Sequence, residues 1–264
     1  MATVQTTEVS FRTKDHVATV VIDRPDDGNR LSPEVLRQLY EITAQVRVSK
    51  DLRVLVIRGG GAKVFSLGVF GPARRALLSK EQALEVVALA NAVIDGIEAL
   101  PQIVIAGING NVHGGGAELA LGCDIRIAAE HATLAFAEAK MGGFPGAGAA
   151  VRLPALIGRG RALELLCTGR EVTAAEMERI GFVERVVSSG RFDQELDQLA
   201  TAIAKSGPLA TQGAKRVVNI RSEPGFRAAR ELSDALRRAL EYSSDIEEGQ
   251  IAKREGREPV FKGS

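Results

Sequence analysis

Apolar positions along the chain alternate between two periods. Residues 17–22 (VATVVI) form a nearly unbroken β-branched run, closed by the turn cluster Asp23-Arg24-Pro25-Asp26-Asp27-Gly28, and predict a buried strand. A helix is predicted from Ser32 to about Val48: the serine caps, Pro33 at the first position has the right φ, and Glu34 faces the positive end of the dipole. A second apolar run, 53–58 (RVLVIR), stops at Gly59-Gly60-Gly61, and 63–72 reads as an irregular loop. Over 80–100 the positions Leu84, Val87, Val93, Ile94 and Ile97 follow helical spacing until Pro101, and a third strand occupies 103–108. Alternating strands and helices require crossovers, so the first half is α/β with mostly parallel pairing and right-handed connections.

The pattern changes at the glycine-rich turn 142–148. Helical stretches follow around 149–156, 161–167 and 174–180, then a short strand at 182–187. The last third (193–205, 209–219, 226–253) is amphipathic helix with Arg and Glu beside an Ala/Leu stripe, a pattern for covering a core and packing subunits.

With 264 residues, 45% apolar and 25% charged, the chain is one large globular domain or one with an appendage. Its 34 basic and 33 acidic residues give a formal charge of +1, without the broad basic field that gathers nucleic acid or anionic lipid. An anionic ligand must therefore be held locally, and neither nucleic acid nor membrane is an expected partner. Cys123 and Cys167 are too few for a disulfide framework, and the histidines at 16, 113 and 131 lack metal-ligand spacing, so no metal site is expected. No 18-residue apolar run or targeting pattern stands out, which makes the bacterial cytoplasm the expected location.

Glycine-containing turns lie at or soon after predicted strand ends, where open α/β sheets bind ligands, yet none has nucleotide-fingerprint spacing. Residues 109–121 (NGNVHGGGAELAL) read as a loop running into a helix. Its first-turn amides point outward with partial positive charge, so Gly115 is suited to donate to an oxygen becoming anionic. Glu118, one turn later, projects near the same mouth or simply favours the dipole of its own helix. Glu138, in FAEAKM before the second glycine turn, reads alone as a solvated charge beside Lys140 and gains weight only with a partner. His113 reads more simply as a carbonyl-satisfying side chain than as a base.

Taken together, these motifs make the chain similar to the enoyl-CoA hydratase/isomerase (crotonase) family. The similarity runs from VATVVIDRPDDGNRLSPEVL through RVLVIRGGGAKVFSLGVF to VTAAEMERIGFVERVV and PVFKG. It is most specific in IAGINGNVHGGGAELALGCDIRIAAEHATLAFAEAKMGGFPGAGAAVRLPALIGRGRALELLCTGR. The resemblance implies an α/β spiral of ββα units over 1–195 carrying the active site. It also implies a helical region over 196–264 that completes the coenzyme A site and builds homotrimers or dimers of trimers.

For the site, the resemblance places the oxyanion hole on the backbone amides of Val69 and Gly115 and the two catalytic carboxylates on Glu118 and Glu138. Coenzyme A, as part of an acyl-CoA substrate and not a separate cofactor, would lie along Asp26, Asp27, Gly28, the Leu67 carbonyl, Phe261 and Lys262, with the acyl group against Phe70 and Phe144. The implied reaction is reversible syn hydration of a 2-enoyl-CoA to a 3-hydroxyacyl-CoA. The alternatives are Δ3-Δ2 enoyl-CoA isomerisation, another acyl-CoA reaction of the family, or non-catalytic acyl-CoA binding. Two departures from the family pattern bear on specificity: Phe70 stands where an acid is common, and two acids, Asp26 and Asp27, lie beside the expected polyanion.

Overall fold

The computed structural model describes residues 8–222 and 226–260. The N-terminal strands β1 (Val9–Lys14) and β2 (Val17–Ile22) form an antiparallel hairpin whose turn, Asp15-His16, has positive φ at both residues. β2 continues in parallel into β3 (Val54–Gly59), whose edge leads to the short β4 (Val64–Ser66) inside the segment expected to be irregular. The order then repeats with β5 (Ile103–Ile108) and β6 (Asn111–His113), and again with β7 (Ile125–Ala129) and β8 (Thr133–Ala135). β9 (Val172–Thr173) and β10 (Arg185–Val187) close the two sheets.

The larger sheet has the order β1-β2-β3-β5-β7-β10, parallel except for the first pair, and the smaller one β4-β6-β8-β9, parallel except for the last. Each of the three repeats thus gives its first strand to the large sheet and its second to the small one before a helix follows. This is an α/β spiral of ββα units.

The helices of the spiral start where local chemistry favours them. In α1 (Pro33–Val48) the Ser32 hydroxyl accepts from the Val35 amide at 3.1 Å, and after the four-residue α2 (Pro72–Arg75) a reciprocal Ser79–Gln82 capping box opens α3 (Lys80–Glu98). Their apolar stripes cover one face of the large sheet: Leu36, Ile94 and Ile97 pack fully buried with Ile22, Leu55 and Ile57. Each such side chain contributes about 1.5–3 kcal/mol by leaving water.

α4 (Gly115–Leu121), α5 (Ala149–Ile157), α6 (Arg159–Thr168) and α7 (Ala174–Ile180) follow the later strands. α8 (Phe192–Ala204) covers the opposite face of the large sheet, with Phe192, Leu196, Ala200 and Ala204 against Val54, Val56, Ile105 and Ile127. The expected division at 195/196 falls inside this helix.

The C-terminal stretch is α9 (Pro208–Ser222), α10 (Phe226–Glu241) and α11 (Ser244–Glu255). The expected single helix over 226–253 is two, because Ser243 caps α11 by accepting from the Ile246 amide. α11 lies tightly on the segment after β8: a Cβ on Gly249 would be 2.2 Å from the Met141 carbonyl oxygen. Among the described residues, no helix is long and apolar enough to cross a membrane.

Candidate active site

β4 and β6 are parallel neighbours in the small sheet, and their ends set two backbone amides side by side. Gly68 follows β4 with φ 84°, and a Cβ there would be 2.8 Å from the Gly115 nitrogen. A Cβ on Gly115 would in turn be 3.1 Å from the Val69 nitrogen. Only glycine at both positions leaves the gap between the two amides open. Among the described residues neither amide donates to a protein acceptor, so both face a ligand site or solvent.

The gap opens into a cavity of about 490 Å³, whose wall includes Leu67, Val69, Phe70, Gly115 and Phe144 together with Glu118 and Glu138. The two carboxylates, twenty positions apart in sequence, therefore share one cavity.

Glu118 does not turn to the dipole of its own helix. Its Oε1 accepts from the Ala147 amide at 2.8 Å and the Ala149 amide at 3.0 Å, in the glycine-rich segment that opens α5. That segment is braced from outside: Asn91 of α3 donates to the Gly146 carbonyl at 2.9 Å, and Arg152 of α5 pairs with Asp95 and Glu98 at 2.6 Å each. Burial raises the Glu118 pKa, against which the two amides and the nearby Arg152 and Arg230 favour the anion.

Glu138 is held in the opposite manner. Its Oε2 is buried and finds no hydrogen-bond partner, and its Oε1 would lie 2.8 Å from a Cβ on Gly114. Burial, followed by the charge of Glu118, pushes Glu138 up to about 8. A solvated charge beside Lys140 is thereby excluded. Two carboxyls in one cavity hold a proton between them near neutrality, and the amide bonds to Glu118 put that proton on Glu138.

The remaining expected positions separate into groups. Leu67 lines the cavity, but its carbonyl already accepts from Arg30 Nη1 at 2.9 Å, leaving one lone pair for another donor. Gly28 is packed on the Leu67 side chain. Asp26 and Asp27 lie exposed outside the cavity wall, with Asp27 paired to Arg24 at 2.9 Å and to Arg30 at 3.8 Å, which offsets its charge beside an anionic ligand. Phe261 and Lys262 lie outside the described residues.

His113 is half-buried on the cavity wall, its Nε2 3.2 Å from Thr133 Oγ1, and burial lowers its pKa, so it is neutral at pH 7. Arg75 and Arg237 also line the cavity, joined through Glu241, and the sequence pattern carries no sign of them. On an amphipathic helix, Arg237 and Glu241 read as parts of a solvated polar face.

The sequence matches the enoyl-CoA hydratase/isomerase family over residues 12–264. The chain belongs to that family. It is 39% identical over 249 residues to the Bacillus subtilis (strain 168) protein YngF, of the enoyl-CoA hydratase/isomerase type, covering 94% of this chain and 95% of that one. It is 33% identical to the (E)-benzylidenesuccinyl-CoA hydratase of Thauera aromatica, covering 97% and 99%. Among solved structures, an enoyl-CoA hydratase from Bacillus anthracis is 35% identical with a TM-score of 0.80, covering 97% of this chain and all of that one (100%). A carnitinyl-CoA hydratase from Mycobacterium avium is 30% identical with a TM-score of 0.86, covering 98% and 99%. The ββα spiral and helical C-terminal region are the crotonase fold of these relatives. Enzymes of one such fold carry out different reactions, so the reaction must be argued from the cavity itself.

Proposed function

We propose that this member of the family is an enoyl-CoA hydratase that adds water reversibly to a 2-enoyl-CoA. The observation that carries the reading is the contrast between the two carboxylates of one cavity: Glu118 favoured as an anion by two amides, Glu138 pushed up to about 8. Addition of water needs one base and one acid at the same time.

The thioester carbonyl oxygen accepts from the Val69 and Gly115 amides. These bonds strengthen as that oxygen takes on enolate charge, so they lower the barrier more than they tighten binding. Glu118 removes a proton from the water as its oxygen bonds to Cβ. The electron pair of the double bond moves toward the carbonyl, and Glu138 delivers its proton to Cα. The product gains OH at Cβ and H at Cα, and proton exchange with water resets the carboxyls. The expected assembly into trimers or dimers of trimers would cover the apolar Leu209 and Val217, exposed on α9.

Purified protein mixed with crotonyl-CoA should abolish the conjugated enoyl-thioester absorbance and yield 3-hydroxybutyryl-CoA. Inactivity across short and long 2-enoyl-CoAs, with binding retained, would instead indicate a non-catalytic acyl-CoA-binding protein. Glu118→Gln distinguishes the isomerase alternative: if 3-enoyl-CoA still rearranges at the wild-type rate, Glu138 shuttles the proton alone and the hydratase reading is wrong.

A further inference from the structure

One charged cluster in the cavity is unused by this mechanism. Arg237 of α10 is 7% exposed and sits in the cavity wall, with its stem against Gly146: a Cβ on that glycine would be 2.8 Å from Arg237 Cδ and 2.9 Å from Cγ. Gly146 directly precedes Ala147, whose amide holds Glu118, so Arg237 lies at the reacting end of the cavity. Its charge acts on both Glu118 and Glu138.

The guanidinium of Arg237 donates to one oxygen of Glu241 at 2.5 Å, and Arg75 of α2 donates to the other. Glu241 is fully buried. Two cations thus share a single anion, and the acids among the described residues of the cavity wall are Glu118 and Glu138, which keep a proton between them. Burial, followed by the charge of Arg75, pushes Arg237 down to about 10, against which Glu118 and Glu138 favour the cation.

Arg75, Arg237 and Glu241 sum to one positive charge, which the single negative charge shared by Glu118 and Glu138 faces across the cavity. Among the described residues Arg237 donates to Glu241 alone, so its other N–H groups are left to what occupies the cavity. The surrounding wall, with Val87, Phe70 and Phe144, is apolar. The other cations of the wall differ in placement: Lys253 and Arg254 on α11 are exposed, and Arg30 donates to the Leu67 and Phe70 carbonyls. A polyanionic carrier has exposed cations to meet outside, whereas Arg75 and Arg237 face what enters with the acyl chain.

Resting on the hydratase reading, we propose that the cavity selects acyl-CoA thioesters whose acyl chain carries a second carboxylate beyond Cβ, held by Arg237 and Arg75. Guanidinium groups suit a planar carboxylate, and an uncharged chain of equal length would offer the free N–H groups of Arg237 no acceptor.

The test compares the full-length protein's equilibrium affinity for pentanedioyl-CoA and pentanoyl-CoA, saturated chains of equal length that need no turnover. The expected result is a preference of about tenfold or more for the dicarboxylic chain, erased in both Arg75→Met and Arg237→Met. Equal or weaker binding of pentanedioyl-CoA by the wild type overturns the proposal, as does a preference that survives in both variants. Arg75→Met leaves the Arg237–Glu241 pair in place, so it decides the matter if Arg237→Met does not fold.

Kinetics with 2-pentenedioyl-CoA and 2-pentenoyl-CoA separate this proposal from the reading it rests on. Turnover of neither, with the binding preference intact, removes the hydratase reading alone. If Arg237 serves only to tune the glutamates, Arg237→Met changes kcat and the pH profile equally for both chains and leaves their ratio unchanged, which also overturns the proposal.

Discussion

Glu118 and Glu138 line the same cavity, but their supports differ in kind. Glu118 sits against the start of α5, receives two amides, and is braced through Asn91 and the Arg152 ion pairs behind them. Glu138 stands on the short turn after β8, with one oxygen buried and unpartnered and the other close to a bare glycine backbone. A rigid polar wall favours an anion and an apolar one favours a neutral acid, so one residue type provides both partners of a proton transfer. The division of labour lies in the surrounding backbone, not in the side chains.

Removing either carboxyl should break the comparison most severely. Glu118→Gln keeps an acceptor for the Ala147 and Ala149 amides and Glu138→Gln keeps the shape, so both should fold while kcat for 2-enoyl-CoA hydration falls by about 100- to 10,000-fold. Near-wild-type hydration by either variant, measured by the enoyl-thioester absorbance, would refute the assigned roles. Gly115→Ala tests the surface that both carboxyls serve. Its methyl group would lie 3.1 Å from the Val69 nitrogen, in the gap meant for the thioester oxygen. The expected loss is about 100- to 1000-fold in kcat, with a lowered thermal unfolding midpoint as well, because the methyl also meets Val69 Cγ2 at 2.8 Å.

The pH response should expose the same asymmetry. Glu138 at about 8 holds its proton in the native state, whereas the unfolded chain releases it near the ordinary value of 4.5. Native protein therefore binds more protons across that window, and the stability this group contributes, complete at low pH, is lost as pH rises through about 8. Hydration should decline above the same pH because the acid is spent. Glu138→Gln should be more stable than wild type at pH 9, by on the order of 2 kcal/mol, and equal to it near pH 5. Thermal melts at the two pH values check this, and an equal difference at both would assign the effect to packing.

Legibility in the sequence follows the range of the forces involved. α1 spans Pro33–Val48 because a serine–proline start is a local signal, and β5 spans Ile103–Ile108 because its apolar run lies between proline and the Asn109-Gly110 turn. β4, β6 and β8 have only three residues each; they exist through pairing with one another, which no single run reveals. The β1–β2 turn uses Asp15-His16 at positive φ without the glycine that signals a tight hairpin.

The site divides along the same line. Glu118 was legible from its place in the first turn of a helix after three glycines. Glu138 was legible only through family resemblance, because its burial comes from segments remote in sequence. Arg237 and Glu241, four apart on α10, carried no signal, since that spacing also describes an exposed ion pair.

The smallest expected effect concerns the brace behind Glu118. Asn91 donates to the Gly146 carbonyl at 2.9 Å and accepts from Arg230 Nη1 at 2.5 Å, so it fixes the strip of backbone whose next amide, Ala147, meets the carboxylate. Asn91→Leu removes both bonds and should cost about 0.5–1.5 kcal/mol of stability for each, read as a lower denaturant midpoint. Its effect on catalysis should be a few-fold and directional. Looser amides favour the Glu118 anion less, its pKa rises, and the acid limb of the kcat/KM profile moves to higher pH. The alkaline limb belongs to Glu138, whose surroundings Asn91 does not touch, and should stay in place. Movement of both limbs together would mean that the two carboxyls are supported by one structure and not by two.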